Sequence, residues 1–89
     1  MRMQHDLGEH GRAVLRAISD RLNDGAAEVD LHEVMDDTDL DLRDVVRAAV
    51  ALESDGYFSM RRNFASGATW VIAGKNFTAK AREAAGGWH

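Results

Sequence analysis

Within one short stretch, Val45-Val46-Arg47-Ala48-Ala49-Val50-Ala51-Leu52-Glu53-Ser54-Asp55-Gly56-Tyr57-Phe58, a helical pattern changes into a strand pattern. Apolar residues first recur at steps of three and four, which is typical of an amphipathic helix. Asp55-Gly56 then ends the helix, because glycine readily adopts the left-handed conformation that follows many last helical turns. Tyr57 and Phe58 come next, and aromatic residues are enriched in strands. The stretch therefore predicts a helix that leads directly into a β-strand.

Toward the N-terminus, this helix is predicted to begin at Leu42, with Asp41 as its N-cap, and to run to about Ser54. The residues expected to face inward are aliphatic or small, namely Leu42, Val45, Val46, Ala49 and Leu52. The residues expected on the outward face are Arg43, Asp44, Arg47, Ala48 and Ala51. The helix thus presents two arginines, four residues apart, on the side away from the core.

Two helices and one short strand are predicted before this helix. The apolar residues of 12–22 fall at helical spacing, which predicts the first helix. Val29 lies in a short link after that helix and fits a very short strand. Residues 31–37 form a second, brief helix, for which Asp30 is the predicted N-cap and Glu33 its capping-box partner.

Two strands and a last helix are predicted after the glycine turn. Residues 57–62 and 69–73 are rich in aromatic and β-branched residues, and the loop between them joins them as a hairpin. Thr78 is the predicted N-cap of a last helix over residues 79–85, after which Trp88 is expected to fold back as an apolar lid. The predicted order is helix, strand, helix, helix, strand, strand, helix. This is a mainly α protein with a small β-hairpin, in the α+β class.

Two segments of this pattern resemble the winged helix-turn-helix domains of MarR-like and PadR-like transcriptional regulators. The first is the stretch 45–58, since the recognition helix in those families ends in a similar leucine, acidic pair, glycine and large apolar residue. The second is Phe77-Thr78-Ala79-Lys80-Ala81-Arg82-Glu83-Ala84-Ala85-Gly86. It is similar to the Thr-x-x-Gly-Arg segment after the wing, although Ala81 stands where glycine is usual. The resemblance spans residues 29–86; a generic helix end before a strand is the alternative interpretation of the first segment.

The resemblance implies a recognition helix over about residues 42–54 in the major groove of DNA, with a wing over about 57–74 beside it. Arg43 and Arg47 would then read bases, since an arginine can hold guanine through two hydrogen bonds, and Asp44 could accept a hydrogen bond from cytosine. The alternative is that the two arginines are solvated residues that pair with nearby carboxylates, namely Asp39, Asp41 or Asp44.

Three further basic residues lie in or beside the predicted wing: Arg61, Arg62 and Lys75. Side chains of this kind hold phosphates and so position a protein on DNA. The alternative is that they are edge charges that protect the hairpin from pairing with other strands. Because one recognition helix offers few base contacts, a homodimer on two half-sites is expected. The resemblance places its interface on the first and last helices, with Met1, Met3 and Trp88.

Charge is distributed unevenly along the chain, whose formal net charge is −4. Residues 57–89 carry five bases and one acid, whereas residues 25–42 carry seven acids and no base. Those acids are Glu28, Asp30, Glu33, Asp36, Asp37, Asp39 and Asp41. In the resembling fold the second helix crosses the DNA backbone, where carboxylates would repel phosphates. The alternative function is therefore a winged-helix protein-interaction module that binds no DNA and docks a basic protein partner through Asp36, Asp37 and Asp39.

Length and composition exclude several classes of protein. A chain of 89 residues is expected to form one domain, residues 1–89, in which 1–10 are a flexible N-terminal segment. The sequence has no cysteine, which excludes disulfide bonds, zinc ribbons and thiol nucleophiles. No apolar run approaches the ~20 residues of a membrane span, and the N-terminus lacks the apolar segment of a signal peptide. A cytoplasmic protein with no membrane contact is therefore expected.

Metal-binding and catalytic motifs are incomplete. Asp37-x-Asp39-x-Asp41 begins like an EF-hand loop, but Leu42 and Ala48 occupy the positions of the required glycine and glutamate. No glycine-rich phosphate loop is present, and so short a chain offers little room for a catalytic cleft. We therefore expect no metal, no cofactor and no enzymatic activity.

Overall fold

Residues 8–63 and 69–85 are described by the structure, a computed structural model. They form helices and strands in the predicted order, with one short 3-10 turn, Gly74–Asn76, after the last strand. The helices are Gly8–Asn23 (α1), Leu31–Thr38 (α2), Leu42–Ser54 (α3) and Ala79–Ala85 (α4), and the strands are Glu28–Asp30 (β1), Met60–Asn63 (β2) and Thr69–Ala73 (β3). The predicted α+β class, mainly α with a small β component, is confirmed, and that component is a three-stranded antiparallel sheet.

Local hydrogen bonds begin three of these helices at the predicted residues. Asp30 and Glu33 form the capping box of α2, in which each carboxylate accepts a hydrogen bond from the other residue's backbone N–H. Asp41 and Thr78 accept from backbone N–H groups in the first turns of α3 and α4. Gly56 follows α3 with φ 88°, a left-handed conformation that glycine adopts without steric cost. The predicted caps are confirmed.

The three strands form one antiparallel sheet in the order β1-β3-β2. β3 is the central strand, and its Ile72 pairs with Val29 of β1 on one side and with Met60 of β2 on the other. Because β1 lies between α1 and α2 in the chain, this pairing holds β2 and β3 against the helices. The very short strand predicted at Val29 is therefore confirmed.

The hydrophobic core lies between the helices and one face of the sheet. Val14, Leu15 and Ile18 of α1 are completely buried in it. The rings of Phe58 and Phe77 stack with their centroids 6.3 Å apart and join the segment before β2 to the segment before α4. Other buried members of the core are Val29, Leu31, Val34, Val45, Ala49, Leu52, Ile72 and Ala81.

Two elements begin at residues other than those predicted. α1 begins at Gly8 rather than residue 12. The sequence did not show this start, because the first turn is polar and glycine-rich and has no apolar residue at helical spacing. β2 begins at Met60 rather than residue 57. The Tyr57 N–H instead donates to the Leu52 carbonyl at the end of α3, and Phe58 is buried in the core. Tyr57 and Phe58 are thus held by α3 and by the core, so pairing with β3 starts only at Met60.

One core prediction is wrong. Leu42 was expected to face inward, but it is 37% exposed, and Val46 is only half-buried. The buried face of α3 is instead set by Val45, Ala49 and Leu52, and Leu42 lies at its margin.

Several expectations fall on residues that the structure does not describe, namely the predicted dimer contacts of Met1, Met3 and Trp88. In the described part of the chain, no helix is both long enough and apolar enough to cross a membrane.

Candidate nucleic-acid interface

The outward face of α3 is fixed by the packing of its opposite face. Val45, Ala49 and Leu52 are buried, so the helix cannot rotate about its axis without exposing them. Arg43 and Arg47 then project to solvent from one row, since residues four apart lie above one another on a helix. Packing alone thus places the two arginines side by side on the surface.

Neither arginine is bound by a neighbouring carboxylate. Within residues 8–63 and 69–85, no hydrogen bond or ion pair joins the side chain of Arg43 or Arg47 to another residue. Asp41, one of the partners expected under the alternative, instead accepts from the Asp44 N–H at 3.0 Å as the cap of α3. Both guanidinium groups therefore keep their donors available for an external ligand.

An aliphatic row, Leu42, Val46 and Val50, runs beside the arginine row. Val50 is 51% exposed, and together with both arginines these side chains line one open groove along α3. The sequence-based interpretation missed this row, because it counted Leu42 and Val46 as core and did not place Val50. The spacing in the sequence could have revealed it. Leu42, Val46 and Val50 are four residues apart and form one row, which lies on a different side of the helix from Val45, Ala49 and Leu52.

The basic residues in and beside the hairpin make different contacts. The Arg61 Nη2 donates to Glu28 Oε2 at 2.7 Å, so its charge is shared with β1. The Arg62 guanidinium lies over the Trp70 ring, 4.7 Å from its centroid, a cation–π contact that leaves the arginine on the exposed surface. Lys75 is exposed in the turn after β3.

Arg62 and Lys75 lie at opposite ends of the β2–β3 pair. Arg62 pairs in register with Trp70, near the end of the strand pair formed by Asn63 and Thr69. Lys75 follows Ala73, whose register partner Glu28 lies on β1. The structure therefore separates these two cations along the sheet, and neither belongs to the row of Arg43 and Arg47.

Most of the acids in residues 25–42 have a structural partner. Arg21 of α1 binds Asp37 through two hydrogen bonds, Nε to Oδ2 at 2.6 Å and Nη2 to Oδ1 at 3.0 Å, and reaches Glu33 Oε2 at 3.3 Å. The hydrogen bond from Arg21 lowers the pKa of Asp37 and outweighs the opposing effect of burial. From the sequence, Asp37 was expected only as a docking residue of the alternative function, so this structural role is an addition to that expectation.

The other acids divide into caps and exposed carboxylates. Asp30 and Asp41 cap helices, and Glu28 holds Arg61. Burial raises the pKa of Asp30, but hydrogen bonds, the largest of them from the His32 N–H, bring that pKa below its ordinary value. Asp36 and Asp39 stay exposed, and Asp39 adopts a left-handed conformation, φ 61°, at the end of α2.

The described part of the chain holds no group of three or more histidine, aspartate or glutamate side chains close enough together to bind a metal ion. No family model, curated protein or solved structure matches the chain. The function is therefore inferred from the geometry.

Proposed function

We propose that the chain is a small winged-helix DNA-binding protein, with α3 as its recognition helix and β2–β3 as its wing. The order of helices and strands and the antiparallel β1-β3-β2 sheet support this arrangement. The observation that carries the proposal is the pair Arg43 and Arg47, exposed on one row of α3 without a carboxylate partner among the described residues.

Each arginine can donate two parallel hydrogen bonds to O6 and N7 of a guanine in the major groove. A good bidentate pair of this kind contributes about 1–3 kcal/mol of discrimination against other bases. Both residues lie in the first half of α3, the end that reaches base edges in helix-turn-helix proteins. Asp44 is half-buried beside them and can accept from a cytosine amino group.

The wing supplies contacts to the DNA backbone. Arg62 and Lys75 are assigned to phosphates because both are exposed, although Arg62 also lies over the Trp70 ring. Such contacts set the orientation of a protein on DNA and carry no sequence information. Because they lie at opposite ends of the sheet, they would touch phosphates some distance apart.

The acids of residues 25–42 are compatible with DNA binding because most of them serve the fold. Glu28, Glu33 and Asp37 face arginines, and Asp30 and Asp41 cap helices. Their negative charge is partly neutralised before DNA approaches. We further propose that the protein regulates transcription as a homodimer, because two copies of α3 would double the small number of base contacts.

The proposal is tested by titrating duplex DNA at several salt concentrations. The Arg43→Ala/Arg47→Ala variant should lose at least tenfold in affinity for the preferred sequence. The Arg43→Lys/Arg47→Lys variant keeps the charge and should retain non-specific binding while losing preference for guanine, because lysine lacks the bidentate fork. The Arg12→Ala/Arg16→Ala variant removes an exposed pair of equal spacing from α1 and should weaken binding much less. Absence of DNA binding by the wild type at low salt would disprove the proposal.

The second candidate function is docking of a basic protein through exposed acids of the α2 region. Asp36 and Asp39 favour it, because both are exposed at the end of α2. Asp37 favours it less, because Arg21 already occupies both of its oxygens. An Asp36→Lys/Asp39→Lys variant separates the two functions: it should strengthen binding to DNA and should abolish capture of a basic protein.

A further inference from the structure

The outward face of α3 combines two chemistries in adjacent rows. Arg43 and Arg47 form a polar row, and Leu42, Val46 and Val50 form an aliphatic row that lines the same groove. Single exposed aliphatic residues are common on protein surfaces. Here, however, the aliphatic row lies directly beside the arginines assigned to base contacts. A ligand that covers both rows must therefore present apolar groups next to hydrogen-bond acceptors.

The major groove of DNA presents this combination where A·T and G·C base pairs are neighbours. Thymine carries the C5-methyl group, the apolar group that distinguishes it in the major groove, whereas guanine carries two acceptors suited to arginine. Leu42 and Val50 lie eight residues apart on α3, about 12 Å along the helix axis. This length corresponds to roughly three to four base pairs at the spacing of B-DNA.

We propose that Val46 and Val50 contact thymine methyl groups, so that the site recognised by α3 holds thymines next to the guanines bound by Arg43 and Arg47. This inference rests on the proposed DNA binding and adds to it a second class of base. Val50 is the principal contact because it is the more exposed of the two, while Val46 also packs against the core. Leu42, at the start of α3, extends the apolar row toward the end of the site.

The test uses a base that differs from thymine only at the methyl group. The preferred sequence is first obtained by selection from random duplexes, and each thymine is then replaced singly by deoxyuridine. Replacement of a thymine under α3 should weaken binding about fourfold, the factor expected for one buried methyl group. Deoxyuridine in the flanking sequence serves as the control and should change nothing.

A double-mutant cycle identifies the residue that makes the contact. Val50→Ala removes two methyl groups from an exposed position, so the variant is expected to fold normally, which circular dichroism checks. On the thymine duplex it should bind several-fold more weakly than the wild type. On the duplex with deoxyuridine at the contacted position the two proteins should differ much less, because the methyl partner is already missing.

Each contrary result has a distinct meaning. If the selected site lacks thymine, or if deoxyuridine binds equally well at every position, the methyl contact is wrong while DNA binding stands. If Val50→Ala abolishes self-association in sedimentation experiments without DNA, the aliphatic row is an interface between copies of the chain and the inference is overturned. If the wild type binds no duplex at any salt concentration, both the proposed function and this inference fail.

Discussion

Arg21 of α1 distinguishes the two adjacent aspartates of α2, Asp36 and Asp37. It is separated in sequence from Asp37 by 16 residues, yet the two side chains form a hydrogen bond of 2.6 Å. The neighbouring Asp36 is exposed and makes no such hydrogen bond to Arg21. Two adjacent aspartates of identical chemistry therefore have different roles, one joining α1 to α2 and the other free to face solvent or a ligand.

Substitution of these two aspartates should have unequal effects on stability. Asp37→Ala should lower the melting temperature more than Asp36→Ala, since only the former removes the hydrogen bonds from Arg21. The pKa of Asp37 is lowered in the folded protein, so its stabilising effect is present above the ordinary value of about 3.9 and is lost as the pH falls through the lower folded value. The difference in melting temperature between Asp37→Ala and Asp36→Ala should therefore be present at pH 7 and vanish in strong acid.

Thermal unfolding of both variants from pH 2 to pH 7 measures this prediction. Added salt serves as a second check, because screening weakens a largely exposed ion pair and should narrow the gap at pH 7. Equal melting temperatures for the two variants at pH 7 and low salt would show that the Arg21–Asp37 pair contributes nothing.

Interactions at the residue scale were predictable where they were local. The caps at Asp30, Asp41 and Thr78 were identified because each acts within three residues of itself in the sequence. The pair between Arg21 and Asp37 depends on how α1 packs against α2, and no local pattern encodes that distance. The structural role of Asp37 could not be identified from the sequence for this reason.

At the scale of elements, the joint between α3 and β2 orients the proposed recognition helix relative to the proposed wing. Gly56 has φ 88°, and a Cβ atom added there would meet no atom within 4 Å. The Thr78 Oγ1 donates to the carbonyl oxygen of Tyr57 at 2.9 Å and so ties the joint to the start of α4. Glycine is therefore favoured at position 56 by its left-handed backbone conformation and not by close contact with neighbouring atoms.

Replacement of this glycine should therefore destabilise the protein by a predictable amount. Gly56→Ala should cost about 1–2 kcal/mol, the penalty of a left-handed conformation for a residue with a Cβ atom. Gly56→Asn should cost less, because asparagine tolerates that conformation better. Urea unfolding of the three proteins gives the free energies. If alanine and asparagine destabilise equally, the cost arises from something other than the backbone angle.

The bounds of elements were predictable where an apolar period or a cap marks them. α3 runs from Leu42 to Ser54, as its cap and its glycine indicated. The start of α1 carries neither signal, and β2 starts late because Phe58 is needed in the core. The aliphatic row of α3 was missed for a related reason: hydrophobicity alone assigns Val46 and Leu42 to the core, and only the packing shows that Val45 and Ala49 already fill that side.

For the whole molecule, the net charge of −4 is a poor guide to its surface. The basic C-terminal part is not one patch, because Lys80 donates to the Asp55 carbonyl and lies over the Tyr57 ring, while Arg82 lies over Phe77. Most acids of residues 25–42 are likewise engaged as helix caps or in ion pairs, whereas Asp36 and Asp39 stay exposed. Under the proposed function, long-range attraction to DNA would therefore be weak, and binding would come from a few arginines and lysines that touch the duplex.

This arrangement predicts an unusually shallow dependence of DNA affinity on salt. Each phosphate contact adds about −0.9 to the slope of log affinity against log salt concentration. With Arg62 and Lys75 as the main phosphate contacts, one protein chain should give a slope of about −2, and a homodimer about −4. Lys75→Ala should reduce the slope by about one unit per bound chain without changing the preferred sequence, whereas Arg43→Ala should alter the sequence preference. A slope near −8 would mean that many more cations touch phosphate than the exposed ones identified on the wing, and the assignment of the wing contacts would have to be abandoned.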